Sequence, residues 1–138
     1  MSDVERTLVL LKPDAVRRGL VGTVVGRYEA KGLGLAALEL RTIDAAMADR
    51  HYAAHVEQPW YPTLREFITS GPLVALVVEG PGAIDVVRSM NGATNAAVAA
   101  PGTIRGDLAL SNRENLVHAS DSPESAAKEL ALWFPNLG

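Results

Sequence analysis

His118 and Glu129 are the pair in this chain whose types and spacing point most directly to chemistry. His118 ends a short apolar stretch, Leu116-Val117, that reads as a strand, and Ser122-Pro123 reads as the start of a helix. Serine is a favoured N-cap and proline a favoured first helical residue. Glu129 lies seven residues beyond Ser122, about 10 Å along a helix at roughly 1.5 Å per residue. His118 lies three residues before Asp121, about 10 Å along a strand at roughly 3.3 Å per residue. A helix folded back over its own strand therefore brings the carboxylate level with the imidazole. A carboxylate on one ring nitrogen fixes the tautomer and leaves the other nitrogen as a lone pair, which makes a histidine nucleophilic. A purely structural histidine–glutamate pair would have the same spacing.

Phosphate chemistry is the next question. There is no G-x-x-x-x-G-K-[ST] loop and no G-x-G-x-x-G with kinase signatures. The candidates are dispersed: Lys12 at the end of the first apolar run, Arg88 in a helical stretch, and Arg105 in "PGTIRGD". Thr94 and Asn115 are neutral hydrogen-bonding neighbours in sequence. Each cation alone reads as a solvated end or a surface ion pair, which contributes little. Gathered around His118 they form a cationic pocket for a polyphosphate. His51 and His55 have the i, i+4 spacing of a metal pair, but no third ligand accompanies them, and they read as solvated or capping histidines. Ser122 reads as an N-cap rather than a modification site.

Composition narrows the classes. A chain of 138 residues, 48% apolar and 21% charged, suits one globular domain, taken as residues 1–138. With no cysteine, disulfides, thiolate metal sites and cysteine nucleophiles are excluded. A net charge of -3 argues against nucleic acid as a partner. Ten arginines against three lysines favour planar recognition of phosphate oxygens, although compositional bias would give the same total. The N-terminal apolar run Leu8–Leu11 is too short for a signal peptide, and no stretch approaches the ~20 apolar residues of a membrane span. A soluble cytoplasmic protein is expected.

The elements that must position these residues follow from pattern. "RTLVLL" and "GPLVALVVEGPG" read as strands. "LAALELRTI" reads as another strand despite a composition that also suits a helix. Asp14 to Gly34 reads as helical, with Gly19 a candidate break. Asp44 caps a helix over 45–56, a second helix runs over 62–69, and "AIDVVRSM" is a third. Residues 91–115 show little regular pattern, and a loop of that length is usually functional or disordered. The strand 116–119 and a helix from Pro123 to Phe134 end the chain. The order fits a ferredoxin-like βαββαβ four-stranded antiparallel sheet with inserted helices and a long loop before the last strand. A doubly wound parallel sheet is the competing architecture.

"TLVLLKPDAVRRGLVGTVVGRYEAKG", "HYAAH", "SGPLVALVVEG", "NGATNAAVAAPGTIRGD" and "NLVHASDSPESAAKEL" occur in one order over nearly the whole chain. Together they strongly resemble the nucleoside diphosphate kinase family. The resemblance implies ping-pong transfer of the γ-phosphate of a nucleoside triphosphate (NTP) to a nucleoside diphosphate (NDP), through a phosphohistidine and with Mg²⁺ on the nucleotide phosphates. His118 matches the phosphorylated residue, Glu129 the carboxylate that orients it, and Ser120 a serine beside that pair. Lys12, Tyr52, Arg88, Thr94, Arg105 and Asn115 match positions that hold phosphates and sugar hydroxyls. The resemblance also implies the ferredoxin-like fold and a homo-oligomer, hexamer or tetramer, built from a common dimer.

The sequence departs from the family pattern at several points. Trp60 stands where the base-stacking aromatic is usually phenylalanine, and it keeps a flat face. Ala96 stands where the long loop usually carries proline, which would loosen the loop and weaken assembly. Ala54 replaces a frequent carboxylate, and Ala119 a glycine. The alternative function is a catalytically silent, ferredoxin-like nucleotide-binding module with a regulatory or assembly role. The complete residue set around His118 argues against it.

Overall fold

The two apolar runs Leu8–Leu11 and Leu73–Val78 face each other in the middle of the sheet. The computed structural model describes residues 4–137. In it, β1 (Val4–Leu11) pairs antiparallel with β3 (Leu73–Pro81), from Val4 opposite Pro81 to Leu11 opposite Val74. β2 (Gly34–Arg41) adds to the far side of β3 with a bulge between Leu35 and Ala37, and β4 (Val117–Ala119) adds to β1. The order β2-β3-β1-β4 with every neighbour antiparallel is the ferredoxin-like arrangement expected from the sequence.

The central strands read as continuous apolar runs because both faces of the sheet are covered. Val9, Leu11, Val74, Leu76 and Val78 pack on one face, under α2 (Val21–Lys31) and α5 (Ala83–Asn91). Leu8, Leu10, Leu73 and Ala75 pack on the other, with Ala48 of α3 (Ala45–His51), Ile68 of α4 (Tyr61–Ile68) and Trp133 of α7 (Pro123–Trp133). β2 is the less buried edge. It is a strand despite its alanine, leucine and glutamate content because β3 supplies its hydrogen-bond partner.

Gly19 does divide the first helical stretch. With φ of 69° it separates α1 (Pro13–Arg17) from α2. The helix expected over 45–56 stops at His51 and continues as a 3-10 turn, Ala53–His55. The long loop requires correction, because residues 91–115 contain a 3-10 turn at Ala96–Val98 and a helix, α6 (Ile104–Leu108). These pieces are too short for periodicity to reveal. Local caps hold them: Asn95 Oδ1 accepts from Ala97 N, Thr103 Oγ1 accepts from Gly106 N, and Asp107 Oδ1 accepts from Gly102 N.

Gly92 shows how closely this segment is folded. Its φ of 86° and ψ of -177° are open essentially to glycine alone. A Cβ there would collide with Thr103, coming within 2.7 Å of that residue's own Cβ. Thr103 is fixed as the cap of α6, donating to Ala100 O at 2.6 Å. Gly92→Ala is expected to lower unfolding free energy by about 1–3 kcal/mol, measured by urea denaturation. Stability equal to the parent would show that the loop yields at this point.

Candidate active site

β4 alternates buried, half-buried, buried over Val117, His118 and Ala119. Val117 and Ala119 point into the core beneath α2 and α5. His118 is paired with Leu10, whose side chain belongs to the opposite core, so the imidazole faces the layer that contains α7. The alternation of one short strand thus presents the histidine to Glu129. His118 Nε2 lies 2.9 Å from Glu129 Oε1. The same oxygen accepts from Ser120 Oγ at 2.9 Å, and Ser120 is fully buried. The cap expected at the start of α7 is present, with Ser122 Oγ accepting from Ser125 N at 3.1 Å.

Burial alone would raise the Glu129 carboxyl. The hydrogen bond and charge of His118, with smaller contributions from His51 and Ser120, outweigh it and hold the carboxyl below its ordinary value. An ionised carboxylate only accepts, so His118 Nε2 is the donor and Nδ1 holds the lone pair.

Lys12 closes the end of β1. It is 8% exposed, and its Nζ donates to Asn115 Oδ1 at 2.8 Å. Burial, and then the charge of Arg105, push its pKa down to about 8. Asn115 spends its amide nitrogen on the carbonyls of Thr94 and Asn112, so its contacts hold Lys12 and the loop together. Arg105 donates to the carbonyls of Gly92, Asn115 and Val117 at 2.8, 3.3 and 2.6 Å. A guanidinium has about five N–H donors, so others stay free for a ligand.

His118, Glu129, Lys12, Tyr52, Arg88, Thr94, Arg105 and Asn115 line one cleft of about 600 Å³. Ser120 lies beneath it through Glu129. Trp60 is not in the lining. It is 45% exposed, so it is no core anchor, and its ring stands 5.4 Å from that of His55, which does line the cleft. Ala54 also faces the cleft, where a side-chain carboxylate would have added negative charge.

The sequence reading of His51 requires correction. It is not a solvated or capping residue. It accepts from Trp133 Nε1 at 3.0 Å on Nδ1, and its ring meets that of His118 at 4.8 Å. Its partner lies 82 residues away, and no local pattern reports such a contact. His55, by contrast, is exposed. Asp121 and Lys128 are further cleft residues that sequence reasoning did not single out. Hydrogen bonds from Ser125 and Ser122, with Arg88 nearby, keep the Asp121 carboxyl below its usual value against a small opposing burial effect.

A histidine held by a carboxylate beside buried cations, on a ferredoxin-like sheet, is an arrangement suited to phosphoryl transfer. The chain belongs to the nucleoside diphosphate kinase family, whose model matches residues 5–137. These kinases pass a phosphoryl group from one nucleotide to another by a ping-pong route through a phosphohistidine. The nucleoside diphosphate kinase of Nocardioides sp. is 70% identical over 132 residues, covering 96% of this chain and 98% of the relative. That of Cutibacterium acnes is 64% identical over 137 residues, 99% of each. Among solved structures, a halophilic nucleoside diphosphate kinase from Halobacterium salinarum, in complex with CDP, superposes with a TM-score of 0.94. It is 46% identical, covering 97% of this chain and 90% of that one.

A carboxyl whose folded pKa lies below its unfolded value adds stability at higher pH and loses it as pH falls through the folded value. Glu129 is such a group, so part of the parent's stability is lost below the ordinary glutamate value of 4.5. Glu129→Gln removes that part. Urea unfolding is expected to show the variant well below the parent at neutral pH, with the gap closing as the solution is acidified below 4.5. A gap independent of pH would mean that the ionised carboxylate is not what the fold uses.

Proposed function

We propose that His118 is the phosphorylated residue of this kinase and that Nδ1 is the reacting atom. The observation that carries this reading is the hydrogen bond between His118 Nε2 and Glu129, itself anchored by Ser120. The lone pair on Nδ1 attacks the γ-phosphorus of an NTP. The bond from that phosphorus to the β–γ bridging oxygen breaks, and the NDP departs with the electron pair. The acceptor NDP then attacks the phosphohistidine from the same side and restores Nδ1. Glu129 stabilises the charge that the ring gains, and Ser120 holds Glu129.

Phosphoryl transfer depends on positioning and on neutralising the spread charge of the transferred group. Lys12, Arg88 and Arg105 supply positive charge, while Tyr52, Thr94 and Asn115 hold sugar hydroxyls and phosphate oxygens or support the groups that do. Burial keeps the Tyr52 hydroxyl protonated and therefore a donor. Trp60 with His55 offers a flat face to the base, and stacking of this kind accepts every base. Mg²⁺ fits the cleft because it prefers oxygen ligands and is commonly held by a carboxylate together with substrate phosphates. Asp121 is the ionised oxygen donor that would support it there, and the ion would neutralise β- and γ-phosphate charge. The nitrogen-rich group His51, His118 and Glu129 does not suit so hard an ion.

One domain performs the whole reaction, in the cytoplasm with its nucleotide substrates. No helix among the described residues is long and apolar enough to cross a membrane. The protein works as a homo-oligomer, hexamer or tetramer, consistent with the open side of β2 and its exposed Leu38 and Leu40.

Incubation with γ-labelled ATP and Mg²⁺ is expected to give an acid-labile, base-stable phosphoprotein whose label GDP removes as GTP. His118→Asn is expected to take up no label while keeping its fold and its affinity for ADP. No label on the folded parent, or full labelling of His118→Asn, would overturn the assignment.

Assembly gives a further expectation. Ala96 opens the 3-10 turn after an extended Asn95, a position that suits proline. Ala96→Pro is expected to add about 0.4–1 kcal/mol of stability through the unfolded chain. Light scattering on dilution should show a lower dissociation concentration. An unchanged melting curve and dissociation profile would remove the link between Ala96 and assembly.

A further inference from the structure

The His118 ring has a neighbour that the transfer chemistry does not use. His51 ends α3 and meets His118 with ring centroids 4.8 Å apart and planes at 81°. Behind it stands Trp133, fully buried, whose indole N–H donates to His51 Nδ1 at 3.0 Å. Trp133 is held in turn by the core that contains Leu8 and Leu10 and by Arg41 over its ring at 5.7 Å. An indole nitrogen only donates, so His51 Nδ1 must be the lone-pair atom, and the proton of the neutral ring sits on Nε2. Glu129 holds one nitrogen of His118, but a single hydrogen bond leaves the ring free to rock about that contact. The edge-to-face wall of His51 limits that motion.

We propose that His51, locked as its Nε2–H tautomer by Trp133, is a positioning residue that holds the His118 ring in line for phosphoryl transfer. The proposal rests on His118 being the phosphorylated residue. The ionisable groups around His51 are His118 on β4, Glu129 on α7, Lys12 after β1, and His55 in the turn after α3. Tyr52 packs on it at 4.6 Å. Burial first, and then the neighbouring cationic and imidazole groups, push the His51 pKa down to about 3, with Glu129 opposing. A neutral wall is what the arrangement needs, since a cation at this distance would compete with His118 for Glu129 and draw the ring off its line.

Three variants separate the bond from the bulk. Trp133→Phe keeps an aromatic ring in the core and removes the indole N–H. His51→Ala removes the wall, and His51→Gln restores an acceptor for Trp133 and part of the contact. Single-turnover labelling by γ-labelled ATP should slow by about 10- to 100-fold in His51→Ala, the scale of a misplaced reacting atom. ADP affinity should stay within twofold of the parent, and His51→Gln should recover part of the rate. In Trp133→Phe, ring ¹⁵N spectra should show His51 losing its single tautomer, and the acid limb of the labelling rate should move to higher pH. Parent-like labelling rates and pH profiles in both His51→Ala and Trp133→Phe would overturn the proposal. Slowing in His51→Ala that Gln does not relieve, together with a parent-like pH profile in Trp133→Phe, would overturn it in favour of a merely structural contact. Absence of label in the parent would instead overturn the assignment of His118, so the two failures are distinct.

Discussion

The site depends on one strained residue. Leu116 is the only described non-glycine residue with positive φ, at 75°. A branched side chain in that region is uncommon and persists only where surrounding contacts fix it. Here they do. Leu116 N donates to Asp14 Oδ2 at 3.1 Å, and its carbonyl accepts from Lys12 N at 2.8 Å. Its side chain is fully buried in the core. On either side, Arg105 grips the carbonyls of Asn115 and Val117. The chain therefore turns sharply from Asn115 into β4, and the turn is bound to the junction that carries Lys12. His118 and Lys12, about a hundred residues apart in sequence, share one rigid mount.

This mount explains why so short a strand suffices. β4 has three residues and sits at the sheet edge, which alone would leave His118 poorly located. The Leu116 clamp fixes where the strand begins, and the mutual bonds between Leu8 and Ser120 fix where it ends. Between them the alternation of the strand decides that His118 faces α7. Ser120, whose hydroxyl donates to the Glu129 oxygen that meets His118, also accepts from Leu8 N where the strand ends, so the fold and the site share the same atoms.

What was legible in the sequence was local. Strand period, the Ser122-Pro123 helix start and the arithmetic of rise per residue placed Glu129 against His118, because all three act within fifteen residues of chain. The sheet order followed from the alternation of strands and helices. The illegible parts were contacts that tertiary packing alone creates. Trp133 and His51 have no mutual signal, and His51 looked like a surface residue because its helix is short and polar nearby. The segment 91–115 looked formless because its order comes from side-chain caps and from Gly92 against Thr103. The cations Lys12, Arg88 and Arg105 were visible as dispersed candidates and the family resemblance gave them roles, yet neither revealed that Asn115 and Arg105 spend much of their bonding on the chain itself.

The unpaired charge inside the cleft follows from that division of labour. Lys12 and Arg105 are both buried. Burial and then the charge of Arg105 lower the pKa of the Lys12 ammonium, while burial and, less, Arg88 lower that of Arg105 against an opposing effect of Tyr28. The acid within reach, Asp14, does not fully answer them. Burial raises its carboxyl, one oxygen is spent on Leu116, and the other has no hydrogen-bond partner among the described residues. Buried cations without counter-ions are costly. Here the cost is contained by backbone carbonyls around Arg105 and by Asn115 on Lys12, which supply dipoles rather than net charge. Dipoles stabilise a cation without cancelling its field, so the positive potential survives folding and remains available to an anion. A carboxylate at Ala54 would have weakened it from the cleft wall. The fold thus leaves positive charge facing the cleft, and the turn at Leu116, bonded to Lys12 N and flanked by the carbonyls that Arg105 grips, ties the two cations to one junction.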